Sequence, residues 1–170
     1  MTAISVWQPW ASAIAVGAKR IETRSWNPPY RGRILIHASK RRLITELVEY
    51  ECDPCWRAAL SPLGWAPGGD PIENIDRLPF GAIVAVADLA WCDRTEDFED
   101  AELGAIRTRA GLDSGTYYWT ERMLGDFRAG RWGWRLGPIW RLDEPIPWRG
   151  RRGLFDIPTV DFTGVTYQRV

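Results

Sequence analysis

Apolar and polar residues alternate over several short stretches of the chain, and this period of two predicts strands. We expect strands at residues 2–7, 19–26, 33–38, 81–91 and 132–142, with turns and further short strands from 145 to 170. Helical signals are fewer: Pro9 and Gly17 stand where a short helix begins and ends, and Asp53 with Pro54 marks the start of another. Short strands, few helices and many turns predict an α+β, barrel-like fold.

Residues 43–78 interrupt this strand-rich pattern. Helical spacing covers residues 42–50, whereas frequent Pro and Gly from Ser61 to Leu78 predict irregular structure. The acidic stretch from 95 to 102 predicts a helix start or a solvated loop. Because no repeat and no linker divides the chain, we expect one domain over residues 1–170 with an insertion around 43–78.

The composition is that of an ordinary globular domain, with 45% hydrophobic and 26% charged residues among 170. No window of 18 residues is uninterruptedly apolar, which argues against a membrane span. The N-terminus lacks the basic and apolar regions of a signal peptide. Three cysteines are too few for a disulfide framework and suit a reducing compartment. These features together predict a cytoplasmic location and no membrane partner.

Charge is unevenly distributed, although the formal net charge is zero. Residues 1–42 carry eight basic residues and one acid, residues 43–127 carry six and seventeen, and residues 128–170 carry eight and four. If the two basic ends meet in the fold, they form a positive face suited to phosphate groups.

The stretch from Trp7 to Lys40 combines this positive charge with flat aromatic side chains, in a chain that holds eleven tryptophans. Faces for base stacking are offered by Trp7, Trp10, Trp26 and Tyr30. Helical spacing with Ile14 nevertheless favours a core position for Trp10. Side chains suited to phosphate are Lys19, Arg20, Arg24, Arg31 and Lys40. Glu22 is the one acid among them, and its oxygens can accept hydrogen bonds from an exocyclic amino group or from ribose hydroxyls.

Four motifs in this stretch resemble the ASCH family, whose fold is related to the PUA domain of RNA-modifying proteins. They are WQPWA from Trp7, G-x-K ending at Lys19, ETRSW from Glu22, and Y-R-G-x-x-x-I-H-A from Tyr30; the later GDFRAGRWGW segment also agrees. The resemblance implies a PUA-like β-barrel with a cleft beside the first helix, and RNA, DNA or a modified nucleoside as the ligand. It implies no cofactor. The binding residues we expect are Trp7, Gln8, Pro9, Lys19, Arg20, Glu22, Arg24, Trp26, Tyr30, Arg31, His37 and Lys40.

One branch of the ASCH family consists of amidohydrolases that act on an acylated cytidine, and this supplies an enzymatic alternative. In that branch a lysine is the nucleophile and a threonine three residues later is its partner. Lys19 matches the lysine, but Glu22 holds the threonine's place and Thr23 follows it. In the same branch a distant glutamate is the acid/base; it has no clear match here, and Asp88, on the predicted strand after Gly81, is a guess. An ionised Glu22 raises the pKa of a neighbouring lysine, which opposes nucleophilic use, so the sequence favours binding.

Other chemistries have weaker support. A ribonuclease activity, also known in the ASCH family, needs an acid and a base tuned near neutrality, and the single histidine, His37, lies within a predicted strand. Cys52 and Cys55 form an isolated C-x-x-C without the second pair of a zinc site, so we expect no metal. A protein-interaction module that uses exposed tryptophans as anchors is a third class, and its partner is not identified.

Overall fold

Seven strands form one curled, mixed sheet in a computed structural model of the chain, and two more strands form a separate pair. The structure describes residues 1–65, 70–105, 107–110, 116–158 and 165–170, with backbone alone at 51–52, 108–110 and 116–117. The strands are β1 (Thr2–Val6), β2 (Ile21–Arg24), β3 (Gly32–Ala38), β4 (Ala82–Arg94), β5 (Arg107–Ala110), β6 (Thr116–Trp119), β7 (Trp132–Pro147), β8 (Leu154–Asp156) and β9 (Tyr167–Arg169).

The strand order of the large sheet is β2-β7-β4-β3-β1-β8, and β9 pairs with β7. Strands β1 and β3 are parallel, while the other pairs of the sheet are antiparallel. Register shifts along β4 and β7 mark β-bulges, which bend and twist a sheet. The prediction of an α+β, PUA-like barrel fold is therefore confirmed.

The described part of the chain contains five short α-helices: α1 (Trp10–Ala15), α2 (Ile44–Cys52), α3 (Pro54–Leu60), α4 (Pro71–Asp76) and α5 (Asp100–Leu103). Helix α1 ends at Ala15, and Gly17, the predicted stop residue, lies just beyond the cap residue Val16 with a φ of 74° that suits glycine. The Asp53 side chain caps α3 by accepting from the Cys55 backbone N–H at 2.7 Å, also as predicted. In the acidic stretch from 95 to 102, Thr95–Asp97 form one 3-10 turn, and α5 begins at Asp100.

The prediction of irregular structure from Ser61 to Leu78 was wrong for helix α4. Asp70 accepts from the Ile72 backbone N–H at 2.7 Å, and Pro71 occupies the first helical position. These are the same start signals as in α3, set among residues that otherwise suggest a loop. Residues 66–69 of this stretch lie outside the described residues, as do residues 159–164 of the strand-and-turn prediction for the C-terminal end.

Two hydrophobic clusters share helix α1. The first fills the space between α1 and the sheet, with Ile14, Ile36 and Trp134 among its buried residues. The second packs α1 against α2, α3 and α4 and buries Trp56, Trp65 and Trp119. Half-buried Trp10 contacts both clusters. The high tryptophan content is therefore partly a core property, and residues 43–78 contribute side chains to that core.

The two basic ends of the chain meet in the sheet, because β1 pairs with β8 from Thr2 opposite Asp156 to Ile4 opposite Leu154. This pairing brings the segment after β7 beside the segment after β3. Among the described residues, no helix is both long enough and apolar enough to span a membrane.

Candidate nucleic-acid interface

A cavity of about 580 Å³ lies beside helix α1, where the resemblance places a cleft. It is lined by Val6, Trp7, Trp10, Glu22, Thr23, Arg24, Ser25, Trp26, Tyr50, Trp56, Met123, Gly125, Asp126 and Arg131. Its volume is within the range of small-molecule sites, and its walls combine indole faces with a small number of charged groups. We call this space the base cavity.

Strand β2 supplies one wall of the base cavity from consecutive residues. The pleat points Glu22 and Arg24 to one face and Thr23 to the other, yet all three line the cavity. The reason lies in the sheet order, since β2 is an edge strand that pairs with β7 alone. Its other edge carries backbone groups that a neighbouring segment can approach, and Arg131 Nη2 donates to the Thr23 carbonyl at 3.2 Å.

Lys19 lies behind this wall and not in the cavity. Its side chain is 0% exposed, its Nζ donates to the Ile21 carbonyl, and Glu22 Oε2 lies 3.8 Å from the same nitrogen. Burial is the largest influence on the pKa of Lys19 and lowers it, while the charges of Glu22 and Glu121 raise it. Glu22 also lies 2.9 Å from Arg24 Nε. The buried lysine therefore holds the glutamate and strand β2 in place from the core side.

The segment after β6 forms the opposite wall with Asp126 and Arg131. The Asp126 backbone N–H donates to Thr23 Oγ1 at 3.2 Å, which joins this segment to β2. Gly125 allows the approach, because a Cβ there would lie 3.1 Å from Lys19 Nζ and 2.6 Å from Phe127 Cε2. Hydrogen bonds from Arg128 lower the pKa of Asp126 to about 2, with help from the Arg131 charge, so its carboxylate is ionised at neutral pH.

Two guanidinium nitrogens beside the base cavity are paired with its carboxylates. Arg24 Nε and Arg131 Nε are buried, and neither makes a hydrogen bond within the described residues, although carboxylate oxygens lie 2.9 Å and 3.5 Å away. The cavity thus offers donors beside the acceptor oxygens of Glu22 and Asp126.

The aromatic side of the base cavity comes partly from helices α2 and α3. Trp10 packs edge-on against Tyr50 and Trp56, with ring centroids 5.1 and 5.8 Å apart. Tyr50 and Trp56 were not among the predicted site residues, and neither were Asp126 and Arg131. No local signal in the sequence links these residues to the first helix, because only the tertiary packing brings them there.

A second recess, which we call the phosphate groove, adjoins the base cavity and measures about 1070 Å³. It is lined by Ser5, Trp7, Arg24, His37, Ser39, Lys40, Arg41, Phe80, Gly81, Pro147, Trp148, Arg149, Gly150, Arg151, Arg152 and Gly153. Six of these residues are Arg or Lys, and none is Asp or Glu. The two basic ends of the chain therefore form a shared positive face, as the charge distribution predicted.

The predicted binding residues are distributed unequally over these recesses. Trp7, Glu22, Arg24 and Trp26 line the base cavity, and Trp7, Arg24, His37 and Lys40 line the phosphate groove. Lining neither recess are Gln8, Pro9, Lys19, Arg20, Tyr30 and Arg31. Of these, Gln8 caps α1 by accepting from the Ser12 backbone N–H at 3.1 Å, and Arg31 bonds to the Pro28 carbonyl of its own turn.

His37 is held on both ring nitrogens. Its Nε2 lies 3.0 Å from the Trp148 carbonyl and must donate there, so Nδ1 accepts from the Ser5 hydroxyl at 3.0 Å. The ring is 1% exposed, and burial lowers its pKa, which favours the neutral form. These contacts give His37 a positioning role for the segment that carries Trp148.

Other candidates lie away from the base cavity. Asp88, the guessed distant carboxylate, lies on β4, pairs with Arg33 of β3 at 3.2 Å and lines neither recess. Buried Glu121 accepts from the Arg20 backbone N–H at 2.6 Å and pairs with Arg107 at 2.8 Å. Cys55 carries a free thiol, and the side chain of Cys52 lies outside the described residues.

Comparison with known proteins identifies relatives of the chain. A family model described as ASCH domain matches residues 4–122. Activating signal cointegrator 1 of Homo sapiens is 32% identical over 97 residues, which are 57% of this chain and 15% of that protein. The Mus musculus protein of the same name gives the same identity and coverage. The match therefore spans only a small part of the length of these curated relatives.

Proposed function

Because the chain belongs to the ASCH domain family, we propose that its base cavity binds an unpaired nucleobase, either in a nucleic acid, with RNA the expected type, or in a modified nucleoside. The observation that carries this proposal is the lining itself, in which indole faces surround Glu22, Arg24, Asp126 and Arg131. Bases stack on aromatic side chains and bond through their edges to such polar groups.

The charges of the cavity match the edge of a base better than they match a phosphate. The carboxylates of Glu22 and Asp126 repel anions, whereas they accept hydrogen bonds from exocyclic amino groups. The Arg24 and Arg131 guanidiniums supply the complementary donors for ring nitrogens and carbonyl oxygens. A base that carries both an amino group and an acceptor, as cytosine, adenine and guanine do, uses both kinds of group.

Binding, and not amide hydrolysis, is the function we propose for this site. A nucleophilic lysine must touch its substrate, but Lys19 is fully buried and its Nζ bonds to the Ile21 carbonyl. Nζ lies against Gly125, a residue of the cavity wall, rather than in the cavity. Incubation of the protein with N4-acetylcytidine, in the buffer used for the binding measurements, separates the two functions. Chromatography then detects any deacylated product, and binding of N4-acetylcytidine without formation of this product supports our proposal.

The test is calorimetric titration of the chain with the four ribonucleosides and N4-acetylcytidine, comparing wild type with Trp7→Ala. Trp7 is 47% exposed and lines the cavity, so its removal should cost little stability. Loss of one stacking face is worth about 1–3 kcal/mol, or roughly 5- to 150-fold in affinity. Trp91→Ala is the matched control, since Trp91 is 54% exposed and lines neither recess. Equal affinities of both variants and wild type would rule the proposal out.

A further inference from the structure

The phosphate groove concentrates cationic side chains on a small part of the surface. Lys40 and Arg41 follow strand β3, whereas Arg149, Arg151 and Arg152 follow strand β7, and all five line the groove. Among the described residues, no carboxylate lies within ion-pair distance of these five side chains. Clustered like charges repel one another, and an anionic ligand relieves that repulsion.

The segment that carries the three arginines is fixed to the sheet. His37 donates to the Trp148 carbonyl at 3.0 Å, and the Trp148 backbone N–H donates to the Gly81 carbonyl at 2.9 Å. Gly150 lies against β1, because a Cβ at this position would lie 2.6 Å from Ser5 Oγ. The arginines therefore project from an ordered base, which reduces the entropy lost when they bind a ligand.

The partition between the groove and the base cavity consists of two residues that line both, Trp7 and Arg24. Arg24 Nη2 donates at 2.8 Å to the carbonyl of Ser5 on the groove side, while Glu22 on the cavity side lies 2.9 Å from its Nε. The Arg41 guanidinium lies over the Trp7 ring, 4.6 Å from its centroid. The two recesses therefore adjoin at Trp7 and Arg24.

We propose that the phosphate groove binds the phosphodiester backbone of a nucleic-acid strand whose unpaired base occupies the base cavity. The proposal rests on the proposed function of the cavity and identifies its ligand as a polynucleotide, not a free nucleoside. A nucleoside has no charge for the groove to bind, and a single phosphate does not need five cations from two separate segments of the chain. Successive phosphates of a strand fit a cationic recess of about 1070 Å³.

The experiment measures fluorescence anisotropy of a labelled, mixed-sequence RNA of about 12 nucleotides, within the length that one small domain covers. Salt is varied from about 50 to 200 mM, because each phosphate neutralised contributes roughly 0.7 to the log–log salt slope for a single strand. The groove variant is R149A/R151A/R152A, and its cavity is monitored by calorimetry with the ribonucleosides. The charge-matched control is R94A/R122A/R169A, whose three arginines are exposed and line neither recess.

We expect the groove variant to bind the RNA more weakly, with a salt slope smaller by about 2, and to bind nucleosides as wild type does. An unchanged slope, or an equal loss in the control variant, would overturn the proposal. The proposal would also be overturned if the wild-type protein bound phosphatidylserine vesicles but not the RNA, and if the groove variant lost the binding to vesicles.

The variant Asp126→Asn separates this proposal from the proposed function, because Asp126 lines only the base cavity. Weaker binding of both nucleosides and RNA supports a strand that spans the two recesses. A different outcome is that RNA affinity falls in the groove variant, while neither Asp126→Asn nor Trp7→Ala changes the affinity for nucleosides or RNA. This outcome would refute the proposed function of the base cavity. The shared strand then fails with it, although a cationic groove would remain.

Discussion

The base cavity and the phosphate groove share Trp7 and Arg24 but handle charge in opposite ways. In the cavity each cation lies near an acid, as Arg24 lies near Glu22 and Arg131 near Asp126. In the groove no acid is present among the lining residues. Paired charges hold a geometry and present directed donors and acceptors, whereas unpaired charges attract any anion over a distance set by salt. The first arrangement suits selection of a base, and the second suits attachment of a strand.

The largest expected effect comes from breaking the support of the cavity while leaving the groove intact. Lys19→Ala removes a fully buried cation beside Glu22 and should lower the free energy of unfolding by about 3–5 kcal/mol. The reason is that the Ile21 carbonyl loses its donor and Glu22 loses one of its two cations. Urea denaturation measures the loss.

Lys19→Met is the control for this prediction, because it keeps most of the side-chain volume while removing the charge. It should be less destabilising than alanine, since the packing term is retained. Both variants should bind nucleosides more weakly, yet keep the wild-type salt slope for RNA. An alanine variant as stable as wild type would show that Lys19 does not support the wall.

A smaller effect on stability is expected from His37, which holds the Trp148 segment of the groove, and this effect depends on pH. Burial lowers the pKa of His37 below its ordinary 6.5, so the folded chain binds fewer protons than the unfolded chain between these two pKa values. The stabilisation is complete above about pH 6.5 and is lost as pH falls through the folded-state pKa. Protonation would also end acceptance from Ser5 at Nδ1. Urea midpoints measured from pH 7 to pH 5 follow this loss.

His37→Asn provides the comparison, because His37 is the one histidine of the chain. The variant should be about 1–3 kcal/mol less stable at pH 7, since buried hydrogen bonds are lost, and should show a flatter pH profile. We expect weaker RNA binding with nucleoside affinity retained, because the groove segment loses its anchor. Profiles of equal slope in the two proteins would contradict the role of His37.

The smallest expected effect concerns the outer rim of the cavity. Arg128 is the main reason that the pKa of Asp126 is about 2, so Arg128→Ala should raise this pKa towards the ordinary 3.8. Carbon-detected NMR titration of the carboxyl group measures it, and Arg122→Ala is the control. Both pKa values lie far below neutrality, so nucleoside affinity at pH 7 should change little. A pKa that stays at about 2 in Arg128→Ala would assign the shift to another group.

Much of the fold could be predicted because its signals are local. Alternation located the main strands, and proline with an aspartate cap located the start of α3. The same cap signals at Asp70 begin α4, but the surrounding Pro and Gly concealed them. Local patterns of this kind do not depend on which elements become neighbours.

The candidate site could be predicted only in part. The motif residues Trp7, Glu22, Arg24 and Trp26 line the base cavity, as expected of a cleft beside the first helix. Lys19 belongs to the same motifs, yet its side chain points into the core. Spacing along the chain does not reveal whether a side chain reaches a cavity or supports its wall from behind, because both positions lie beside the same strand.

The sequence by itself determined the family, the strand pattern, and the presence of two basic ends around an acidic middle. Only the tertiary structure decided that Tyr50 and Trp56 complete the aromatic wall, that Asp126 reaches Thr23, and that the basic ends meet through β1 and β8. The physical reason is that side chains far apart in sequence become neighbours through burial of shared apolar surface and through strand pairing. The sequence of one segment alone does not show which other segment it will contact.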